Sequence, residues 1–332
     1  MTELVIENPV DATVEAAKPA ERVADAGFSD LYLGPNHFWF KGIPGKRNPE
    51  PAAPNLHPEL KAMYIKFKEE HTKNNRKDFG LVHDEINYRS SVMPSLSGDV
   101  YVLRKLPSNV PELSEININK HIMKYLLDPN ATGLILISGA PSQGKTTTAS
   151  AIIKSRLIDH GGVAITGEDP PEMPLEGEHG KGICFQTVAN DETGGYSELA
   201  KLIVRWNPDI ILYGEIREKD VAEEALKASI SGRLVVSTVH ADDVVSTLNR
   251  IATLAKDMEA SNASSLLAAG LYGVINQKLV TNNDSKFAVI NEHLFVNKSN
   301  ELQIRKCISE GRLPQLASEI QLQKNQLITN RD

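Results

Sequence analysis

Hydrophobic and polar positions follow two different rhythms along this chain. In the first third, short runs of strand-like residues predominate. Asp30–Leu33 and Phe38–Lys41 flank Gly34-Pro35-Asn36-His37 and predict two strands joined by a turn. Ile43–Asn55 holds four prolines and reads as a loop. His57–Asp78 carries Leu60, Met63, Tyr64 and Phe67 at i, i+3, i+4, i+7 among charged residues, the period of an amphipathic helix. Ile86–Ser90 and Val100–Leu106 predict strands around a Pro94–Gly98 turn. Pro107 and Pro111 then punctuate the chain.

The second rhythm follows. Gly133–Ser138, Val163–Thr166, Ile210–Tyr213 and Leu234–Thr238 are continuous apolar runs with helical patterns between most of them. Strands buried on both faces of a parallel sheet read this way. A helix over Lys145–Asp159 stops at Gly161-Gly162, and Asp220 with Glu223 forms a capping-box-like start before Ala225, Leu226 and Ile230. The uncharged stretch Ala260–Gln277, interrupted by Ser261, Asn262, Ser264 and Ser265, reads as a buried core helix rather than a membrane span. The resulting division is a flexible tail over 1–27, an N-terminal α+β domain over 28–106, a linker over 107–112 and an α/β domain over 113–332.

Composition narrows the function classes. At 332 residues the chain has room for two domains, and 41% hydrophobic with 24% charged residues is ordinary globular usage, which excludes a wholly disordered chain. A formal charge of −7 and 5% aromatics disfavour broad nucleic-acid binding. Cys184 and Cys307 form no CxxC pair, so no zinc site or disulfide framework is read from them. The N-terminus lacks the basic and apolar regions of a secretory signal, and the chain is expected in the cytosol.

The strongest chemical signal is Gly139-Ala140-Pro141-Ser142-Gln143-Gly144-Lys145-Thr146, which fits G-x-x-x-x-G-K-[ST]. Its glycines let backbone N–H groups turn inward around phosphate oxygens, and the following helix presents its positive end. Lys145 is expected on the β- and γ-phosphates and the Thr146 hydroxyl on Mg²⁺. The other apolar runs end in Thr166-Gly167-Glu168-Asp169-Pro170, Gly214-Glu215-Ile216-Arg217 and Thr238-Val239-His240. If the four strands are parallel, these groups line one edge, where open parallel sheets bind ligands. One carboxylate there polarises the attacking water and another holds the water shell of the metal. For His240 a satisfied structural histidine is the competing reading.

Together these residues resemble the secretion-ATPase superfamily, whose branches include PilT-like retraction motors, the GspE/PilB group and the traffic ATPases of type IV secretion. The resemblance covers about residues 28–320. It includes the phosphate loop, an Asp-box-like phrase Glu168-Asp169-Pro170-Pro171-Glu172, an atypical Walker B phrase from Asn207 to Arg217, and a His box from Gly232 to His240. It implies a RecA-like P-loop NTPase domain with a mainly parallel sheet, preceded by a smaller PAS-like α+β domain. It also implies Glu168 as catalytic carboxylate, Glu215 as Walker B residue and metal ligand with Thr146, and Lys145 and His240 in the catalytic set. Thr147, Arg89, Arg104, Arg205 and Arg217 are implied on the nucleotide. Arg89 and Arg104 fall on two arginine-bearing strands that reach phosphates between domains or subunits in that family; surface salt bridges are the alternative.

What the resemblance implies for function is an ATP- and Mg²⁺-dependent homohexameric motor. It would serve a type IV pilus or a conjugative or type IVB secretion system, peripheral to the inner membrane on its cytoplasmic side, with platform or secretion-channel proteins as partners. A RecA-like nucleic-acid translocase and a nucleotide-gated scaffold with little hydrolysis are the alternatives. The chain departs from the family pattern at Gly167, where a β-branched residue is usual, at Arg233, where a histidine commonly opens the His box, and at Trp206-Asn207. The four-cysteine zinc module of the GspE/PilB group is absent from the sequence, and Ile308–Arg312 with Gln315–Ile320 only weakly resembles the PilT-like C-terminal region.

Overall fold

The computed structural model describes residues 20–190, 192–255, 263–282 and 285–329. The chain divides into two compact units, Met1–Lys105 and Leu106–Asp332.

The first unit contains β1 (Asp30–Leu33), β2 (Phe38–Lys41), β3 (Glu50–Pro51), α1 (His57–Asn74), β4 (Asp78–His83), β5 (Ile86–Met93) and β6 (Val100–Lys105). All neighbours in its sheet, ordered β3-β2-β1-β6-β5-β4, are antiparallel. Alternation sends Leu31, Leu33, Tyr101 and Leu103 to one face, where they meet Leu60, Met63 and Phe67 of α1, all fully buried. The helix is shorter than its sequence pattern suggests. Asn75 adopts a left-handed conformation (φ 49°) and donates its N–H to His71 O, a C-terminal stop that frees Asp78 to open β4.

Two assigned boundaries change. Of the expected tail, residues 1–19 lie outside the described residues, but 20–27 pack onto the first unit. Val23 is fully buried, and its N–H donates to Glu59 Oε2 at 2.9 Å. The expected linker 107–112 is likewise held in place. Val110 is buried in the second unit's core, its carbonyl accepts from Lys154 Nζ at 2.6 Å, and the neighbouring Leu113 N–H donates to Ser155 Oγ at 2.9 Å.

The second unit contains α2 (Lys120–Leu126), β7 (Gly133–Ser138), α3 (Lys145–His160), β8 (Gly162–Glu168), β9 (Gly177–His179), β10 (Gly182–Val188), α4 (Gly195–Arg205), β11 (Ile210–Glu215), α5 (Lys219–Ser229), β12 (Leu234–Val239), α6 (Val244–Leu254), α7 (Ala263–Gly270), β13 (Leu271–Asn282), β14 (Ser285–Phe295), α8 (Glu301–Ser309) and α9 (Ala317–Thr329). Its mixed sheet is ordered β14-β13-β7-β12-β11-β8-β10-β9. The six strands from β13 to β10 are parallel, and β14 and β9 are antiparallel edges. β7 and β12 are buried along their whole length, which is why their sequences are apolar without alternation. Leu134 and Leu136 face one core with α4, α5 and α6, while Ile135 and Ile137 face the other with α2 and α3.

Three readings of this half are corrected. Ala260–Gln277 is not one helix. Residues 260–262 lie outside the described residues, α7 ends at Gly270, and the β-branched Val274 and Ile275 belong to β13. The chain passes tightly there, since a Cβ on Gly270 would lie 1.9 Å from Ser229 Oγ. The capping box at Asp220 does not form; α5 begins at Lys219 after Glu218, which makes no side-chain cap. The strands β9, β10, β13 and β14 had no clear sequence signal.

Candidate nucleotide site

Because β7, β12, β11 and β8 run parallel as neighbours, the four polar phrases that follow them emerge at one edge. Residues 139–144 turn from β7 into α3 through Gly139 (φ 147°), Ser142 (φ 60°) and Gly144 (φ 72°). At Gly139 a Cβ would approach Gln277 O to 2.4 Å, so only glycine fits. Ala140, Pro141 and Ser142 are exposed, Gln143 and Gly144 partly so, and Lys145 is the first residue of α3. A helix N-terminus behind a left-handed loop is an anion site.

The loop is braced from β13. Gln277, 1% exposed, donates through Nε2 to Gln143 O at 2.7 Å and accepts at Oε1 from Thr148 Oγ1 at 2.8 Å. Leu279 N–H donates to Gln143 Oε1 at 2.8 Å, and Asn276 Nδ2 donates to Ser138 Oγ at 3.1 Å. Sequence reasoning placed Gln143 on the nucleotide without this role and overlooked Asn276 and Gln277. Two adjacent amides within an otherwise apolar run were the signal.

Lys145 is buried, and its ammonium donates to Ala140 O at 2.8 Å and to His240 Nδ1 at 3.2 Å. An ammonium has only donors, so Nδ1 accepts and Nε2 carries the hydrogen. That Nε2 lies 3.5 Å from Glu215 Oε1. Burial pushes the Lys145 ammonium below its ordinary pKa, and the charges of Glu215 and Glu172 oppose this. Lys145, His240 and Glu215, from α3 and the ends of β12 and β11, therefore form one connected set.

Glu168 ends β8 and is 3% exposed. Burial raises its pKa above the ordinary carboxylate value, partly offset by hydrogen bonds that include Gln186 Nε2 to Oε1 at 2.9 Å. A buried carboxylate of raised basicity is suited to accepting a proton. Next to it, Asp169 Oδ2 accepts from Arg217 Nη2 at 3.0 Å, and Arg217 Nε lies 3.6 Å from Glu218. Arg217 thus ties the ends of β8 and β11 together. Thr146 and Thr147 occupy the first turn of α3, where Thr147 Oγ1 lies 3.8 Å from Met173 Sδ. The Thr146 hydroxyl and Glu215 carboxylate are hard oxygen donors, a set that fits Mg²⁺ shared with phosphate and water. Among the described residues no group of three or more His, Cys, Asp or Glu is placed to hold a metal.

Three further arginines expected on the nucleotide belong to other elements. Arg205 is the last residue of α4, which carries the chain back to the start of β11. There Asp209 accepts from Val163 N–H at 2.8 Å, so Arg205 belongs to the sheet edge opposite the phosphate loop. Arg89 and Arg104 belong to the first unit. They are direct register partners on β5 and β6, and Arg104 Nε donates to Asp30 Oδ1 at 2.9 Å.

The departures from the family pattern have local explanations. Arg233 lies just before β12 at the opposite edge and donates to Pro208 O, Ser231 Oγ and Asn207 Oδ1 at 3.2, 2.9 and 3.1 Å. Arg233 and Asn207 are therefore partners of each other. Gly167 makes room for α4, because a Cβ there would lie 2.6 Å from Ile203 Cδ1.

Comparison with known proteins shows which family the chain resembles. A putative type II secretion system protein E of Escherichia coli is 35% identical over 202 residues, covering 59% of this chain and 38% of its own length. The type IV pilus retraction ATPase PilT of Pseudomonas aeruginosa is 30% identical over 220 residues, covering 66% of this chain and 62% of its own. The chain thus spans less than two thirds of each of these relatives. A crystal structure of the pilus retraction motor PilT with bound ADP superposes with a TM-score of 0.74 at 25% identity, over 90% of this chain and 87% of that one. Residues 69–323 match the model of the type II/IV secretion system protein family, to which this chain belongs.

Proposed function

We propose that this chain is an ATPase that works as a motor of a type IV pilus or a type IV secretion system. The observation that carries the reading is the convergence, at one sheet edge, of a braced phosphate loop, the buried Lys145 and the buried Glu168. The loop's N–H groups and Lys145 neutralise the β- and γ-phosphates of ATP. Glu168 takes a proton from water as its oxygen attacks the γ-phosphorus and the bond to the bridging oxygen breaks, which leaves ADP and phosphate. Thr146 and Glu215 would hold Mg²⁺, which offsets charge on the transferring group when bound.

A RecA-like core, a PAS-like first unit and a homohexameric assembly belong to the same proposal, supported by the structural likeness to the PilT motor. So do a cytoplasmic position at the inner membrane and work with a platform or channel protein there. No helix among the described residues is long and apolar enough to cross a membrane.

The test is steady-state ATP hydrolysis by the purified chain. Lys145→Ala is expected to abolish both nucleotide binding and turnover, and Glu168→Gln to slow turnover strongly with binding retained. Turnover that survives both substitutions would overturn the reading.

A further inference from the structure

Gln186 sits on β10 in register with Thr166 of β8, two residues before Glu168. Residues two apart on a strand share a face, so Gln186 and Glu168 are diagonal neighbours on one side of the sheet. The Gln186 side chain uses its full hydrogen-bonding capacity. Its Oε1 accepts from Leu175 N–H at 2.7 Å and from Glu176 N–H at 2.9 Å. Its Nε2 donates to Glu168 Oε1 and to Met173 O, both at 2.9 Å. A primary amide has two N–H donors and two acceptor lone pairs, and all four are engaged.

The orientation of this amide is forced. Leu175 and Glu176 offer only N–H groups to it, while Met173 offers a carbonyl and Glu168 a carboxylate. Turning the amide over would set its NH₂ against two donors and its oxygen against two acceptors, losing all four bonds in a half-buried place. The loop that follows Glu168 thus fixes the amide, and the amide fixes Glu168. Glu168 sits near the charge of Glu172, which by itself makes ionisation harder. An N–H aimed at Oε1 stabilises the ionised form, as do the hydrogen bonds that the carboxylate takes from the Thr166 hydroxyl and the Glu172 backbone.

We propose that Gln186 is a positioning residue that holds the Glu168 carboxylate in one orientation towards the attacking water. This rests on the proposed role of Glu168 as proton acceptor. It also separates two jobs of one side chain: Oε1 pins the loop at 175–176, and Nε2 aims Glu168.

Gln186→Glu distinguishes these jobs. The glutamate matches the amide in size and keeps an oxygen for Leu175 and Glu176, but it has no N–H for Glu168 and sets a second carboxylate against it. The experiment measures ATP hydrolysis and binding of a fluorescent ATP analogue for Gln186→Glu, Gln186→Leu, Glu168→Gln and the double variants, with radiolabelled ATP for slow rates. The expected result is a kcat lower by about 10- to 100-fold for either Gln186 variant, with nucleotide affinity within about twofold. In the Glu168→Gln background the same Gln186 substitutions should cause no further fall in rate.

An unchanged kcat in the Gln186 variants would overturn the inference. So would an equal fractional loss in both backgrounds, because Gln186 would then act independently of Glu168. If Gln186→Leu does not fold, the isosteric Gln186→Glu carries the comparison alone. Failure of the underlying reading is seen separately, as undiminished turnover in Glu168→Gln itself.

Discussion

Gln277→Leu tests how the phosphate loop is held. Gln277 and Thr148 are each 1% exposed, and the substitution removes two hydrogen bonds, from Nε2 to Gln143 O and from Thr148 Oγ1 to Oε1. A hydrogen bond contributes about 1 kcal/mol net, but an orphaned buried group costs about 1–3 kcal/mol. The Thr148 hydroxyl is buried, and leucine returns some apolar burial, so the expected net loss is about 2–4 kcal/mol. The chain has two tryptophans, Trp39 in the first unit and Trp206 in the second. In a Trp39→Phe background, Trp206 fluorescence during urea unfolding reports the second unit alone. Adding Thr148→Val removes the orphaned hydroxyl and should recover about 1 kcal/mol. ATP affinity should stay weakened in both variants, since the loop loses its brace. A loss below about 0.5 kcal/mol, or no recovery in the double variant, would refute this account of the loop.

Other predictions concern the departures from the family pattern and a buried histidine. Gly167→Val should destabilise the second unit by about 1–3 kcal/mol through overpacking against Ile203, and Ile203→Val, which deletes the Cδ1 that a Cβ would strike, should relieve part of that loss in the same urea assay. His293 is 2% exposed, and burial, with His121 and Lys324 nearby, lowers its pKa from 6.5 to about 4. The unfolded chain therefore takes up this proton first, so the stabilisation is complete above about pH 6.5 and is lost as pH falls towards about 4, up to about 3 kcal/mol. Unfolding measured across that window should show the slope, and His293→Leu should flatten it.

The parts of the fold that were legible in the sequence share a physical cause. The cores of β7, β8, β11 and β12 are buried on both faces, so their apolar runs needed no context, and the phosphate loop is specified by local backbone demands at Gly139 and Gly144. β1 and β2 are bounded by a turn that announces them. β10 was missed because its Gln186 and Thr187 are polar in sequence and acquire their meaning only beside β8. β13 was taken as helix because Leu271–Gln277 is uncharged, and only pairing with β7 decides its conformation. The same limit applies to the site. Glu168, Glu215, Lys145 and His240 could be placed at one edge from sequence because each ends, follows or opens an element, whereas Gln186 and Gln277 act across strands distant in sequence. Arg205 matched a motif position, yet α4 carries it to the far edge of the sheet.

The most direct test of the central claim is ATP turnover measured together with ATP binding in three proteins: the unsubstituted chain, Lys145→Ala and Glu168→Gln. The account predicts Mg²⁺-dependent phosphate release by the unsubstituted chain that is strongly slowed in Glu168→Gln and absent in Lys145→Ala, with tight nucleotide binding retained by Glu168→Gln and lost by Lys145→Ala. Equal phosphate release by all three proteins, or no ATP binding by the unsubstituted chain, would contradict it.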